Sequence, residues 1–208
     1  MSGYGGMAFP MPTIAGTYKG KGLIVCGDAA CVWDDLQRFG CDDRSPPRGK
    51  VRKDGWHFMT INKLVETFPG HVEHCYSNRP NLLTNFITAR RDEYAKEFGG
   101  PQHTHSCNVG AKHHWPWGGH GTSGLGGTLV GVALGYDRVV LCGLPLDNSN
   151  HNGEPPWRRT AFKDKEAAGD VKTGWDSHWK RAEVAFEKKV RSMSGRTLEW
   201  FGDAVIWK

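Results

Sequence analysis

The sequence predicts a single Rossmann-like α/β domain, built on a mainly parallel sheet with helices on both faces. Two observations carry that prediction. Short apolar runs (Gly22 to Cys26, Trp56 to Ile61, His71 to Tyr76, Asp137 to Cys142) alternate with segments of helical spacing. Alternation of this kind favours parallel pairing, because each crossover returns across a sheet face. The residues just beyond the runs are also rich in Gly, Asn, Ser, Thr and Asp. In open parallel sheets that carboxyl edge is where ligands bind, near a switch in strand order. At 208 residues the chain is one ordinary domain, able to bury roughly 70% of its unfolded surface without disulfides or metals.

The elements follow in order. Residues 1–20 carry no period and read as a flexible arm, leaving residues 21–208 as the folded domain. Gly22 to Cys26 forms a strand and Gly27-Asp28 a tight turn. Val32, Leu36 and Phe39 then share a helix face, which Gly40 closes in a left-handed cap. After a polar loop (residues 41–54), Trp56 to Ile61 is a second strand ending at Asn62, and His71 to Tyr76 a third, followed by Ser77-Asn78. Pro80 opens a helix, where its missing N–H costs nothing. The spacing of Leu83, Ile87, Tyr94 and Phe98 predicts that this helix runs unbroken to Gly99-Gly100. Residues 101–121 read as an ordered loop around a short strand, Thr122 to Leu134 as a small-residue helix, and Asp137 to Cys142 as a strand. Residues 148–174 read as a lid or loop. Trp179, Ala182, Phe186, Val190 and Met193 predict one amphipathic helix stopped by Gly195.

Composition narrows the function. Apolar residues make up 38% and charged residues 24%, a globular rather than a disordered balance. The longest apolar run, Gly127 to Gly135, is about half of the roughly 20 residues a bilayer requires, so no membrane span is expected. No basic and apolar leader is visible, which makes the cytoplasm the expected compartment. Six cysteines without a CxxC pair are read as reduced, buried thiols. A net charge of +5 suits a phosphorylated or polyanionic partner without demanding one.

Four places carry candidate chemistry. Residues 118–127, GGHGTSGLGG, lead into a helix whose free N–H groups and flexible glycines suit an anion. Thr122 and Ser123 either cap that helix or donate to a phosphate oxygen. No Gly-Lys-Ser/Thr follows, so this is not a P-loop. Gly27-Asp28 stands where a dinucleotide fingerprint would, without its three spaced glycines. Asp28 either accepts from a ribose or base or caps the next helix. His103, His105, Cys107, His113, His114 and His120 match no zinc signature, and no metal ligand is assigned among them. In Trp175-Asp176-Ser177-His178, Asp176 or Ser177 would N-cap the late helix. That places His178 in its first turn, where the dipole favours the neutral imidazole a general base needs. The tryptophans and the basic stretches (Arg158-Arg159 among them) show no nucleic-acid-binding module.

Taken together, Gly27-Asp28, Asn62, Tyr76-Ser77-Asn78 and the stretch from Thr122-Ser123-Gly124 to Ala133-Leu134-Gly135-Tyr136-Asp137-Arg138-Val139-Val140-Leu141-Cys142-Gly143 resemble the bacterial sialyltransferases that build lipooligosaccharide. They also resemble the related sialyltransferase-like and pterin-diphosphokinase-like proteins. Residues 190–197, VRSMSGRT, are similar to uncharacterised tailed-bacteriophage proteins. The resemblance implies a glycosyltransferase-like enzyme that places a cytidine nucleotide on Gly27, Asp28, Asn62, Asn78, Thr122, Ser123 and Gly124, with His178 as base. The family's Gly-Asn-Gly-Pro-Ser turn is here Gly-Asp-Ala-Ala-Cys, its arginine before Thr-Ser-Gly is His120, and its paired tyrosines lack a counterpart at residues 143–148. The expected activity is transfer from a nucleotide-activated donor, most simply a nucleotide sugar, to an acceptor hydroxyl. His120 would stabilise the leaving group, and no further cofactor would be required. A rival metal-dependent phosphotransferase acting on a pterin or nucleotide would hold a divalent metal on Asp28 or Asp147. A nucleotide-sequestering protein and a nucleic-acid-modifying enzyme would also suit these residues. A homo-oligomer is compatible with each, and the acceptor is unspecified.

Overall fold

The computed structural model describes residues 10–41, 50–117, 122–146, 172–186 and 188–208. They form one seven-stranded sheet: β1 (Gly22–Cys26), β2 (Trp56–Ile61), β3 (His74–Tyr76), β4 (His103–Ser106), β5 (His113–His114), β6 (Arg138–Cys142) and β7 (Val190–Ser192). The spatial order is β5-β4-β3-β2-β1-β6-β7, and every pairing is parallel. The helices are α1 (Val32–Phe39), α2 (Pro80–Thr88), α3 (Asp92–Phe98), α4 (Ser123–Ala133), α5 (Lys172–Phe186) and α6 (Gly195–Phe201), with short 3-10 turns at Asn62–Glu66 and Ala204–Trp207. This is the Rossmann-like α/β architecture expected. Among the described residues no helix is long and apolar enough to cross a membrane.

β1 lies inside the sheet, between β2 and β6, with all five residues buried, as a strand covered on both faces must be. Leu23 and Val25 point into a core with Leu125, Val130, Leu141 and Trp179, under α4 and α5. Ile24 and Cys26 point the other way, into a core with Val32, Leu36, Phe58 and Phe68. α4 carries several glycines because it lies almost on the sheet. A Cβ on Gly126 would stand 2.1 Å from Tyr76 Oη, and one on Gly131 2.6 Å from Leu23 Cδ2. Each glycine costs about 1 kcal/mol of helix propensity, which close packing must offset.

Three departures from the sequence reading have clear causes. The helix predicted through residues 80–98 breaks between α2 and α3. There Arg91 N–H donates to Glu66 O at 2.9 Å, and the buried Arg90 guanidinium bonds Val65 O (2.7 Å) and Gly70 O (2.8 Å). The late amphipathic pattern divides into α5, the edge strand β7 and α6. Lys188 turns the chain with φ 63°, and Val139 N–H then captures Lys189 O at 2.8 Å. From Ile14 onward the segment read as an arm is docked: Ile14, Ala15 and Tyr18 pack on the core, and Gly16 and Tyr18 N–H bond Ala133 O and Leu134 O, each at 3.0 Å. The proposed lid at residues 148–174 lies almost wholly outside the described residues.

Candidate functional site

From β1 the chain steps outward to β5 on one side, then returns to lay β6 and β7 on the other. The switch in strand order therefore falls between the carboxyl ends of β1 and β6, where crevices form. Gly27 N–H bonds Cys142 O at 2.8 Å. A Cβ on Gly27 would stand 2.3 Å from Gly143 O and from Leu144 Cδ2, and one on Gly124 2.6 Å from the same Leu144 methyl. Gly27, Gly143 and Gly124 thus bring β1, β6 and the start of α4 together around one leucine. Below them sits Asp35, 5% exposed, whose Oδ2 accepts Gly143 N–H (2.8 Å) and Ser194 O–H (2.7 Å). Burial raises its pKa, and those two hydrogen bonds offset only part of the rise.

Beside this crevice a polar chain crosses the ends of β2 and β3. Ser77 O–H donates to Asn62 Oδ1 (2.7 Å), and Asn78 N–H donates to Ser123 Oγ (3.2 Å). Tyr76 O–H donates to Asn78 Oδ1 at 2.7 Å, and Asn108 Nδ2 to Asn78 O at 2.7 Å. Asn62 adopts φ 53°, a left-handed conformation that asparagine tolerates better than most residues. It turns the chain from β2 into the 3-10 helix. Asp28 does not cap α1, whose first flanking residue is Cys31. Its carboxylate instead pairs with Lys63 at 3.4 Å, next to Asn62.

Thr122 is the N-cap of α4: its Oγ1 accepts Leu125 N–H (3.2 Å) and Trp179 Nε1–H (3.3 Å). That second bond brings α5 to the start of α4 and sets His178 one residue from the contact. The expected N-cap at Asp176 or Ser177 does not form, because α5 begins at Lys172. His178 therefore lies in the interior of the helix, and the dipole argument for its neutrality lapses. Asp176 instead accepts from Arg196 at 2.5 Å, joining α5 to α6. The structure thus gathers Gly27, Asp28, Asn62, Asn78, Thr122, Ser123 and Gly124 along one edge, with His178 on the adjoining helix. His120 and Asp147 lie outside the described residues.

The histidines make a different object. His57, His74, His103, His105 and His113 line one face of the sheet. Trp115 Nε1–H bonds His105 Nδ1 (3.0 Å), His105 Nε2 meets His74 Nδ1 (3.0 Å), His74 Nε2 meets Tyr136 Oη (2.8 Å), and that oxygen meets His57 Nδ1 (2.7 Å). Burial pushes the pKa of His57 down to about 4 and that of His74 to about 2, and holds His105 far below its ordinary value. Among the described residues no group of three or more His, Cys, Asp and Glu could hold a metal ion. Asp35, Ser194 and the His57–His74–Tyr136 connection were not legible in sequence, since each joins elements far apart in the chain. The one hint was that β3 and β4 both open on a histidine, His74 and His103, which stand in register.

A surface cavity of about 360 Å³ lies elsewhere, lined by Phe186, Val190, Trp200 and Phe201 of α5, β7 and α6. None of the convergent polar residues borders it. No protein-family model, no curated protein and no solved structure matches the chain.

Proposed function

We propose that the protein is a transferase that binds a nucleotide-activated donor, a nucleotide sugar, at the carboxyl edge of the sheet and passes the activated group to an acceptor hydroxyl. The observation that carries this reading is the hydrogen-bonded set Asn62–Ser77 and Asn78–Ser123, beside the N-terminus of α4 and the β1/β6 switch point. The free N–H groups of α4 attract phosphate oxygens. Gly124 lets the backbone come close, and Ser123, which accepts from Asn78, keeps its own O–H to donate. Asp28, Asn62 and Asn78 face the nucleoside in this reading. His178, next to the Trp179–Thr122 contact, takes the acceptor proton, the role of a general base held within reach of the reacting hydroxyl.

Thermal unfolding with CMP, UDP, GDP, ADP and their sugar conjugates, with and without magnesium, tests the proposal. One nucleotide family should raise Tm, by an amount that grows with ligand concentration, and Ser123→Ala should weaken that shift. His178→Ala should lower turnover roughly 100-fold while leaving donor binding nearly intact. Absence of a shift from every nucleotide sinks the reading, and a shift that requires magnesium moves it to a metal-dependent phosphotransferase.

A further inference from the structure

The hydrogen-bonded ladder has a fixed polarity. An indole N–H only donates, so His105 Nδ1, which faces Trp115 Nε1 at 3.0 Å, must accept. His105 therefore carries its proton on Nε2 and gives it to His74 Nδ1. His74 in turn carries its proton on Nε2 and gives it to Tyr136 Oη, the oxygen that also meets His57 Nδ1. Both nitrogens of His74 and of His105 are thereby occupied. An extra proton anywhere on this pair ends as two N–H groups facing each other, at Trp115 or between the rings, and His74 and His105 are fully buried. At His57 the hydroxyl of Tyr136 can rotate, so that end is more forgiving.

Among the described residues the fixed charges that act on the rings are lysines, while Glu73 acts on Tyr136 and Tyr18. Lys21 Nζ stands 3.5 Å from His57 Nε2, and Lys112 disfavours charge on His103, His105 and His113. His103 Nδ1 and His113 Nε2 are 3.2 Å apart. From the docked N-terminal segment, Tyr18 lies edge-on to His57 and His74 and stacks on Tyr136. The carboxylates nearby are engaged elsewhere. Glu73 accepts Phe58 N–H (2.7 Å) and faces His71 (3.8 Å), and Asp137 accepts Gly20 N–H (2.6 Å). Among the described residues no carboxylate is bonded to a ladder ring.

We infer that the ladder is an acid-operated lock: in its neutral form it fastens β4, β5 and Trp115 to the rest of the sheet, and added protons release that edge while β1 and β6 stay paired. The edge is short, four residues and two, so the side-chain chain is a large part of what holds it. Release also loosens the turn after β3, because His105 O accepts Ser77 N–H at 3.2 Å and Asn108 holds Asn78 O. The sign follows from linkage. The histidines bind protons more tightly when exposed than when locked, so the lock is whole above about pH 6.5 and weakens as pH falls below it.

Amide hydrogen exchange between pH 7.5 and 5, corrected for intrinsic rates, is the test. Edge reporters are the amides of His103 and Trp115, which bond Glu73 O and Ser106 O; the centre reporter is that of Gly27, which bonds Cys142 O between β1 and β6. Uptake of two protons by His74 and His105 makes the edge opening constant rise about 100-fold per pH unit below pH ~6, while the centre changes little. The double variant His74→Gln/His105→Gln keeps a donor and an acceptor at each position but cannot take the protons, and should flatten that slope. Should the variant not fold, imidazole nitrogen NMR of the unmodified protein decides: His74 and His105 stay neutral Nε2–H tautomers down to pH 5 while the edge is closed. An edge opening that ignores pH, a centre that opens in step with the edge, or ordinary titration of either ring near pH 6.5 in the folded protein overturns the inference.

Discussion

At the scale of single residues, Asp35 shows how a charge can serve geometry. It sits in the first turn of α1 beside Asp34, and in sequence the pair reads as acids complementing a helix N-terminus. In the fold it is buried, and one oxygen holds both the left-handed turn at Gly143 (φ 64°) and Ser194 at the start of α6. Asp35→Ala leaves the Gly143 N–H without its acceptor in a dry site, a loss of about 1–3 kcal/mol. Asp35→Asn keeps an oxygen for both donors and sheds a carboxylate whose pKa burial has raised. Its loss at pH 7 should stay under about 1 kcal/mol. Urea unfolding of the two variants checks the ordering; equal losses would mean that the charge, not the acceptor, is what matters.

At the scale of elements, the sequence was legible at three local signals. Gly40 adopts the left-handed cap (φ 82°, ψ 34°), Pro80 stands at the start of α2, and Thr122 caps α4. It was misleading wherever distant backbone groups compete with a helix. Leu83, Ile87, Tyr94 and Phe98 keep helical spacing straight across the α2/α3 break, and nothing between them signals that Arg90 will turn inward to satisfy Val65 O and Gly70 O. Likewise Val190 and Met193 continue the spacing of α5, although Val190 belongs to a three-residue strand, too short for its own period to show. The Arg90 account makes a prediction. Arg90→Leu fills a similar volume but strips two buried carbonyls of their donors, so stability falls by about 2–4 kcal/mol. Arg90→Lys, a single point donor in place of a planar fork, recovers part of that loss at most. Full recovery by lysine in chemical denaturation would show that charge, rather than the two-carbonyl bridge, sets the break.

At the scale of the whole molecule, the two larger hydrophobic cores share one wall. Strand β1 contributes Leu23 and Val25 to the core under α4 and α5, and Ile24 and Cys26 to the core under α1. The wall is a parallel sheet whose strands meet only after long crossovers, so neither core can be assembled without the strands that serve the other. The candidate site follows from the same arrangement. Its polar residues are strand ends, legible in sequence because they interrupt apolar runs, while the strand order that makes them neighbours is a property of the complete sheet. Unfolding should therefore be a single event at pH 8, where the histidine ladder is neutral and closed. Leu23→Ala and Ile24→Ala each remove a fully buried side chain, on opposite faces, at about 2–5 kcal/mol apiece. With fluorinated tryptophan, the signal of Trp179 reports one core and that of Trp56 the other. Either substitution should move both denaturation midpoints together, because loss of β1 from one face removes it from both. A midpoint for Trp56 that answers to Ile24→Ala but not to Leu23→Ala would mean that the faces unfold separately, and that the strand ends at the candidate site are held by only one of them.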